Sequence, residues 1–187
     1  MKKVSFFLLG AAFLASSLAF VAPKNPKAPI TLAVQSDKSR VDFIGSKAAD
    51  FHTGTFAVKG GSVQVEGGKL VGGSFVIDLA NLKVTDAAGE RLAGHLKSAD
   101  FFDVAKFGEA VYTISSVDYS SATACTINGT LNIKGVGVPV SFAANIRSAS
   151  EKGLFGQAFF SLDRTLLGIA YAGPSKDVQI AVHLFAK

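Results

Sequence analysis

Apolar and polar residues alternate with a period of two along almost the whole chain after Ile30. The pattern is clearest in Cys125–Ile133, Val138–Ile146 and Val178–Leu184. Successive side chains of a strand point to opposite faces, so each of these segments has one apolar face. Glycine-rich turns separate the segments, and no series of helices alternates with them. This pattern predicts an antiparallel sandwich or a closed barrel rather than a parallel α/β fold.

One segment follows a helical period instead. Apolar residues recur at helical spacing between Asp86 and Ser98, which predicts one short helix there. Gly89 and Gly94 weaken this prediction, since each costs up to about 1 kcal/mol relative to alanine in a helix. The residues that share the apolar face are Ala88, Leu92, His95 and Leu96.

The first residues have the order of a secretory signal peptide. The positive segment Met1–Lys3 precedes the apolar run Val4–Leu14, and Ser17-Leu18-Ala19 offers a cleavage site. The apolar run is too short to span a bilayer, which needs about twenty residues. We therefore predict a signal peptide over 1–19, a linker over 20–29 and one domain over 30–187, periplasmic or secreted after cleavage. An uncleaved N-terminal anchor is the alternative.

Cysteine content and charge exclude some classes of protein. Cys125 is the only cysteine, so the chain cannot form an internal disulfide and must depend on its core. Its place in a predicted strand indicates a small buried apolar residue, with a reactive thiol as the alternative. The formal net charge is +5, and loss of Lys2 and Lys3 with the leader would leave about +3. The scattered basic residues argue against nucleic-acid binding, although a mild preference for anionic lipid head groups is expected.

Sequence motifs of catalysis are missing. The chain has no phosphate-binding glycine-rich loop and no Gly-x-Ser-x-Gly elbow. His52, His95 and His183 lie far apart without the spacing of metal ligands. Asp100 and Asp103 are close in sequence, but loop carboxylates that pair with nearby lysines are the simpler interpretation. We therefore predict that the chain is not an enzyme and holds no cofactor or metal.

The aromatic residues raise the question of what fills the interior. The chain has 16 phenylalanines, 3 tyrosines and no tryptophan. A barrel of about eight strands has an interior that side chains fill or that one small ligand occupies. Phenylalanine, leucine and glycine mixed on one face would create bulk in some places and gaps in others. The residues alone leave both kinds of interior open.

His95–Phe107, which reads HLKSADFFDVAKF, is similar to a motif of the YceI-like family. That motif has His-Leu, a basic residue and Ser, then Asp-Phe-Phe-Asp and Lys-Phe. Further segments resemble the same family in the same order: Leu70–Leu79, Val111–Val117, Asn128–Phe142 and Phe160–Ile169. The resemblance covers about residues 30–187, nearly the whole chain after the leader.

The resemblance implies an all-β fold, a lipocalin-like antiparallel β-barrel of about eight strands with one short helix. It also implies a periplasmic or secreted, non-catalytic protein that holds a long isoprenoid or related amphiphilic lipid in the barrel. The chain departs from the family pattern in two places. Gly45-Ser46-Lys47 stands where the family often has a Lys-His pair, with His52 five residues later, and Gly108 replaces a usual proline.

The ligand site predicted on this basis has a lining for the tail and polar residues for the head group. For the Phe101-Phe102 segment, packing of the helix against the barrel is the alternative. Arginine suits a phosphate because its planar group makes paired hydrogen bonds, but a salt bridge at the barrel end is the alternative for Arg164. The tail candidates are Phe43, Phe75, Phe101, Phe102, Phe107, Phe142 and Phe160. The head-group candidates are His95, Lys97 and Arg164.

Two other functions stay open at this point. One is an enzyme or stress-response factor that acts on a small hydrophobe, which would require the histidines to converge in space. The other is a filled barrel that serves as an interaction module. The expected partners of a carrier are an isoprenoid or other lipid and, transiently, a membrane, but no nucleic acid. The sequence leaves the oligomeric state open, a dimer included.

Overall fold

The computed structural model of the protein describes residues 28–187. The predicted signal peptide and residues 20–27 of the predicted linker lie outside the described residues. Within this part the chain forms nine β-strands, one α-helix and one 3-10 helix. In chain order these are β1 (Ile30–Ala33), β2 (Arg40–Lys47), β3 (Asp50–Glu66), β4 (Lys69–Val84), α1 (Gly89–Lys97), β5 (Glu109–Tyr119), β6 (Ala124–Ile133), β7 (Val136–Ser150), β8 (Gly153–Asp163), the 3-10 helix (Arg164–Leu167) and β9 (Asp177–Ala186).

The strands form one antiparallel sheet that closes on itself. The strand order is β1-β3-β2-β9-β8-β7-β6-β5-β4, and a further pairing of β3 with β4 closes the ring. The edge of β3 away from β4 pairs with β2 over its first half and with β1 over its second half. Because β1 and β2 share one place in the wall, the barrel has eight strand positions. This confirms the predicted all-β barrel with one short helix.

The alternation in the sequence becomes an alternation of burial in the barrel wall. In β6, Cys125 and Ile127 are buried, and Thr126 between them is exposed. β7 alternates in the same way through most of its length. Cys125 is buried in the core, which confirms its interpretation as a small buried residue, and this burial raises the pKa of its thiol.

The two ends of the barrel differ in what covers them. One end carries the β2–β3 turn, α1 with the following segment 98–108, and residues 164–176, which connect β8 to β9. We call this the capped end, and residues 164–176 the strap. The opposite end, where β3 turns into β4 and β7 into β8, is the packed end. The first strand begins there, with Ile30 paired to Val65.

Helix α1 is shorter than the predicted helix. It begins at Gly89 rather than Asp86, because the Asp86 carboxylate accepts hydrogen bonds from the backbone N–H groups of Ala88 and Thr53 at 2.8 and 2.7 Å. These bonds hold the residues before Gly89 in a turn. The helix ends at Lys97, one residue before the predicted end, and packs against β4.

The barrel wall has one place where neighbouring strands separate. β7 and β8 pair from their shared turn only as far as Ala144 and Ala158, so Val136–Ala143 and Phe159–Asp163 are not in register with each other. Pro139 lies in this half of β7 and suits a strand edge because it has no backbone N–H. The 3-10 helix of the strap contacts β7. The strap therefore covers a part of the wall that strand pairing does not close.

A glycine inside the barrel leaves room for Tyr112. A Cβ atom at Gly129 would lie 2.4 Å from the Thr113 carbonyl oxygen and 2.6 Å from the Tyr112 side chain. We expect Gly129→Ala to lower the free energy of unfolding by about 1–3 kcal/mol, the usual range for overpacking. Urea denaturation followed by circular dichroism measures this loss. Gly60→Ala is the strand control, since its Cβ would have no atom within 4 Å, and equal losses in both variants would contradict the prediction.

Candidate functional site

A cavity of about 210 Å³ lies in the capped half of the barrel and has an almost entirely apolar lining. Its walls come from the inner strand faces, α1, the segment after α1 and the strap. The structure brings six of the seven tail candidates together around this space. They are Phe43, Phe75, Phe101, Phe102, Phe142 and Phe160.

The Phe101-Phe102 segment both lines the cavity and packs against its surroundings. The Phe102 ring lies edge-on to Phe56, with centroids 5.6 Å apart, and Phe56 in turn contacts Phe43 at 5.1 Å. The Phe101 ring packs against Tyr171 of the strap at 4.9 Å. Each ring therefore lines the cavity and also packs against neighbouring elements, while contact of this segment with a ligand stays a prediction.

Aromatic side chains form a floor beneath the cavity. The rings of Phe75, Tyr112, Phe142 and Phe160 follow one another at centroid distances of 5.7, 5.4 and 4.4 Å. The Tyr112 hydroxyl donates to the Val140 carbonyl oxygen at 2.9 Å, and burial raises its pKa to about 12. Below the floor lies a second cavity of about 30 Å³, which Phe75, Tyr112 and Phe142 also line. The floor thus separates a hollow capped half from a packed half.

The cavity reaches the surface between the strap and the β2–β3 turn. Lys47 and Ser175 line it and are exposed, and Ser46, His52 and Pro174 line it and are half-buried. The Ser175 backbone N–H donates to the Ser46 carbonyl oxygen at 2.7 Å, which ties the strap to β2 at this point. We call these five residues the mouth.

Basic groups at the mouth face carboxylates. The Lys47 ammonium lies 3.5 Å from the Asp50 carboxylate, and the His52 Nδ1 atom lies 3.3 Å from the Asp86 carboxylate. Hydrogen bonds from the backbone of Ala88 and Thr53, together with His52, hold the pKa of Asp86 below its usual value. The positive charge of the mouth is therefore compensated locally, which weakens its attraction for an anionic head group.

Arg164 lines the cavity but does not offer its charge to it. Its guanidinium donates to four backbone carbonyl oxygens of the strap, those of Ser175, Ile169, Tyr171 and Pro174, at 2.6 to 2.9 Å. Among residues 28–187 the guanidinium thus has backbone carbonyl partners rather than the barrel-end salt bridge that the sequence suggested, and its role toward a head group stays a prediction. Since most of its N–H groups are already bonded and the side chain is buried, we assign Arg164 to holding the strap together.

Three of the predicted site residues lie outside the cavity lining. The His95 ring packs edge-on against Phe101 and Tyr171, both at 5.0 Å, and its Nε2 atom lies 3.5 Å from the Asp100 carboxylate. Lys97 is at the end of α1, and Phe107 lies beside Gly135 at the β6–β7 turn. The structure thus gives these residues places around the capped end rather than in contact with the cavity.

The sequence interpretation missed Lys47, His52 and Tyr112. Lys47 continues the inward phase of Val41 and Phe43 along β2, which is a signal that could have identified it. His52 pairs with Gly45 across the β2–β3 turn, and only the register of that turn brings it to the mouth. Tyr112 is in phase with Ala110 and Ile114, which are also buried.

The histidines do not converge in the part of the chain that the structure describes. His52 faces Asp86, His95 faces Asp100, and His183 lies within 3.1 Å of the Gln157 side chain. Between residues 28 and 187 there is no group of three or more His, Cys, Asp or Glu side chains that could hold a metal ion. Over the same range no helix is long and apolar enough to cross a membrane.

The YceI-like domain family matches residues 32–186 of this sequence. The chain belongs to the YceI-like family. Among relatives of this YceI-like protein, the UPF0312 protein of Pseudomonas fluorescens (strain SBW25) is 28% identical over 127 residues, which cover 65% of this chain and 66% of the relative. The UPF0312 protein of Pseudomonas putida (strain W619) is 29% identical over 117 residues, which cover 62% and 60%. The matched segment thus spans slightly less than two thirds of each relative.

Solved structures share the fold of this YceI-like barrel. Burkholderia cenocepacia BcnA superposes with a TM-score of 0.70 at 18% identity, over 82% of this chain and 99% of BcnA. A polyisoprenoid binding domain from Saccharophagus degradans, implicated in plant cell wall breakdown, gives 0.64 at 17% identity, over 83% and 97%. A mutant Campylobacter jejuni YCEI protein with a monobromobimane guest gives 0.56 at 16% identity, over 64% and 74%. At these identities the likeness shows the barrel fold.

Removal of the Arg164 guanidinium should loosen the strap. Arg164→Met keeps an unbranched apolar stem but removes four hydrogen bonds, each of the charged kind that contributes about 1.5–3 kcal/mol. We expect amide hydrogen exchange in peptides from residues 164–176 to become at least about tenfold faster, which mass spectrometry can measure. Arg147→Met is the control, since the Arg147 side chain bonds Gln157 on the outer wall. Unchanged exchange in the strap of Arg164→Met would contradict the assignment.

Proposed function

We propose that this YceI-like protein is an exported, non-catalytic carrier that holds the apolar tail of an isoprenoid or similar amphiphilic lipid. The observation that carries the proposal is the apolar cavity of about 210 Å³, which phenylalanines surround and which reaches the surface at the mouth. Burial of a tail methylene in such a space contributes about 0.8 kcal/mol. Tail burial is therefore the main source of affinity, and the compensated charges of the mouth add less.

The comparisons support a lipid as the ligand. The chain belongs to the YceI-like family, and the similar domain from Saccharophagus degradans is a polyisoprenoid binding domain. The positive, apolar and small-residue segments of residues 1–19 support export to the periplasm or the medium. A lipid carrier in such a compartment would move ligands that water alone dissolves poorly.

The cavity size limits how much of a tail is enclosed. Its volume of about 210 Å³ exceeds the roughly 150 Å³ of an engineered cavity that binds benzene. It is smaller than the roughly 300–1,000 Å³ of common ligand sites. Because the aromatic floor closes the inner end, we infer that the cavity encloses one end of the tail. The rest of a long tail would lie at the mouth or displace the strap.

The two alternative functions have less support in the geometry. An enzyme acting on a small hydrophobe would require the histidines to converge, whereas His52, His95 and His183 face different groups. A filled barrel would have no cavity of this size in its capped half. The described site therefore favours binding over catalysis or a purely structural role.

Removal of the Phe102 ring should weaken lipid retention, because this ring lines the cavity and braces Phe56. We expect Phe102→Ala to lower ligand occupancy about tenfold, and more than Arg164→Ala does, since a lost phenyl contact costs about 1.5–3 kcal/mol. The exported protein would be purified without detergent. Extraction with organic solvent followed by mass spectrometry identifies the ligand, and native mass spectrometry of a second sample measures the fraction of protein that carries it.

Phe159→Ala is the control for this experiment, since Phe159 is 67% exposed on the outer wall. Equal occupancy in the wild type and in Phe102→Ala would contradict the site. The absence of any extractable or loadable lipid in the wild-type protein would contradict the carrier function itself.

Opening the aromatic floor should lengthen the tail that the protein prefers. Phe142 lines the cavities on both sides of the floor, so Phe142→Ala would join them. We expect binding of a series of fatty alcohols to shift toward longer chains, at a cost of about 3–5 kcal/mol in the free energy of unfolding. Phe43→Ala is the control, because Phe43 lines the upper cavity and not the lower one. An identical chain-length preference in the two variants would show that the floor does not set the depth of the site.

A further inference from the structure

Exposed apolar side chains of the described residues concentrate at one end of the barrel. Seven large apolar side chains between residues 28 and 187 are exposed. Four of them lie at the capped end, namely Phe51, Val136, Leu166 and Tyr171. Val71 lies near the packed end, and Ile44 and Phe159 lie on the outer wall partway along β2 and β8. Exposed apolar side chains that cluster at one end of a protein often mark a surface that binds a partner or a membrane.

Phe51 and Leu166 are the two most exposed of the apolar side chains at the capped end, and both belong to elements that border the mouth. Phe51 is 60% exposed and pairs across the β2–β3 turn with Ser46, which lines the cavity. Leu166 is 59% exposed and belongs to the strap, where its neighbour Leu167 is buried and lines the cavity. The same short elements thus present an apolar side chain to the cavity and another to solvent. An exposed apolar side chain therefore stands on each of the two elements that border the mouth.

The positive and negative charges of the capped end nearly balance, and some of them form ion pairs. Besides Lys47 with Asp50, the Lys176 ammonium lies 3.3 and 3.0 Å from the carboxylates of Asp163 and Asp177. Arg91 and Lys97 have no carboxylate within ion-pair distance among residues 28–187, so pairing alone does not cancel the positive charge. Over residues 47–50, 83–108, 134–136 and 163–177, however, eight Lys and Arg side chains accompany seven Asp and Glu side chains, so this end is close to neutral overall. Exposed apolar side chains on an end with balanced charges fit the interface of an electrically neutral bilayer, where aromatic and aliphatic side chains insert among the head groups.

We propose that the capped end docks reversibly on a lipid bilayer, with Phe51 and Leu166 as its main apolar anchors and the mouth facing the lipid. This inference rests on the proposed function, since a docked mouth lets a tail pass between bilayer and cavity without exposure to water. The partner is the neutral lipid surface itself. Anionic lipids are not required, because the capped end is close to neutral overall.

Flotation of the exported protein with vesicles of phosphatidylcholine tests the docking surface. Wild-type protein is expected to float with the vesicles, and added phosphatidylglycerol or salt is expected to change the bound fraction less than twofold. Phe51→Ser with Leu166→Ser is expected to reduce binding at least about tenfold, as the loss of two buried apolar side chains predicts. Val71→Ser and Phe159→Ser are the matched controls and should bind like the wild type. Binding that requires phosphatidylglycerol, or equal binding of the double variant, would overturn the proposal.

Two further measurements separate docking from ligand binding and from self-association. The double variant, shown to be folded by circular dichroism, should take up a fatty alcohol in vesicle-free solution as well as the wild type. If the wild-type protein takes up the fatty alcohol but does not bind vesicles, docking is overturned and the carrier function stands. Vesicle binding without any ligand uptake would overturn the carrier function instead. A wild-type dimer in sedimentation that the double variant abolishes would assign the surface to a second copy and overturn the bilayer as partner.

Discussion

Pairing of β3 with β4 closes the sheet, and the site depends on that closure. In a closed barrel every inward side chain shares one interior, and the period-two alternation decides which side chains those are. Register then brings the rings of Phe75, Tyr112 and Phe142 to one level, where they form the floor. Toward the capped end, the inward-facing residues of β2 change from Phe43 to Gly45 and then Lys47. Apolar bulk is lost there, so the interior becomes a cavity and meets solvent.

The strap completes the site where strand pairing stops. β7 and β8 separate toward the capped end, and the strap covers the part of the wall that they leave. A loop in this position must satisfy its own backbone carbonyl groups, since no neighbouring strand does so. Arg164 meets that need with four hydrogen bonds. This explains how a buried cation can line an apolar cavity with no carboxylate partner between residues 28 and 187: the carbonyl dipoles take the place of water.

The parts of the structure that depend on local periodicity could be predicted from the sequence. The barrel, the helix and the inward phenylalanines of the strands follow from spacings of two or from helical spacing. The position of Phe107 could not, because residues 98–108 follow no strand period and β5 begins only at Glu109. The partners of Arg164 could not either, since they are backbone atoms whose positions depend on the folded strap. His52 reaches the mouth through the register of one turn, which composition does not determine. The ligand role of all these residues remains a prediction.

The likeness to BcnA and to the Saccharophagus degradans domain, at 18% and 17% identity, shows that very different sequences build this barrel. Fold alone therefore does not select a ligand, and selectivity must come from the residues that shape the site. In this chain those residues determine the depth of the cavity and the charge at its mouth. For the proposed lipid ligand, the floor would limit how far a tail can enter, and the carboxylates beside Lys47 and His52 would reduce the gain from a charged head group. A tail that fits the upper cavity should therefore matter more to this protein than the charge that the tail carries.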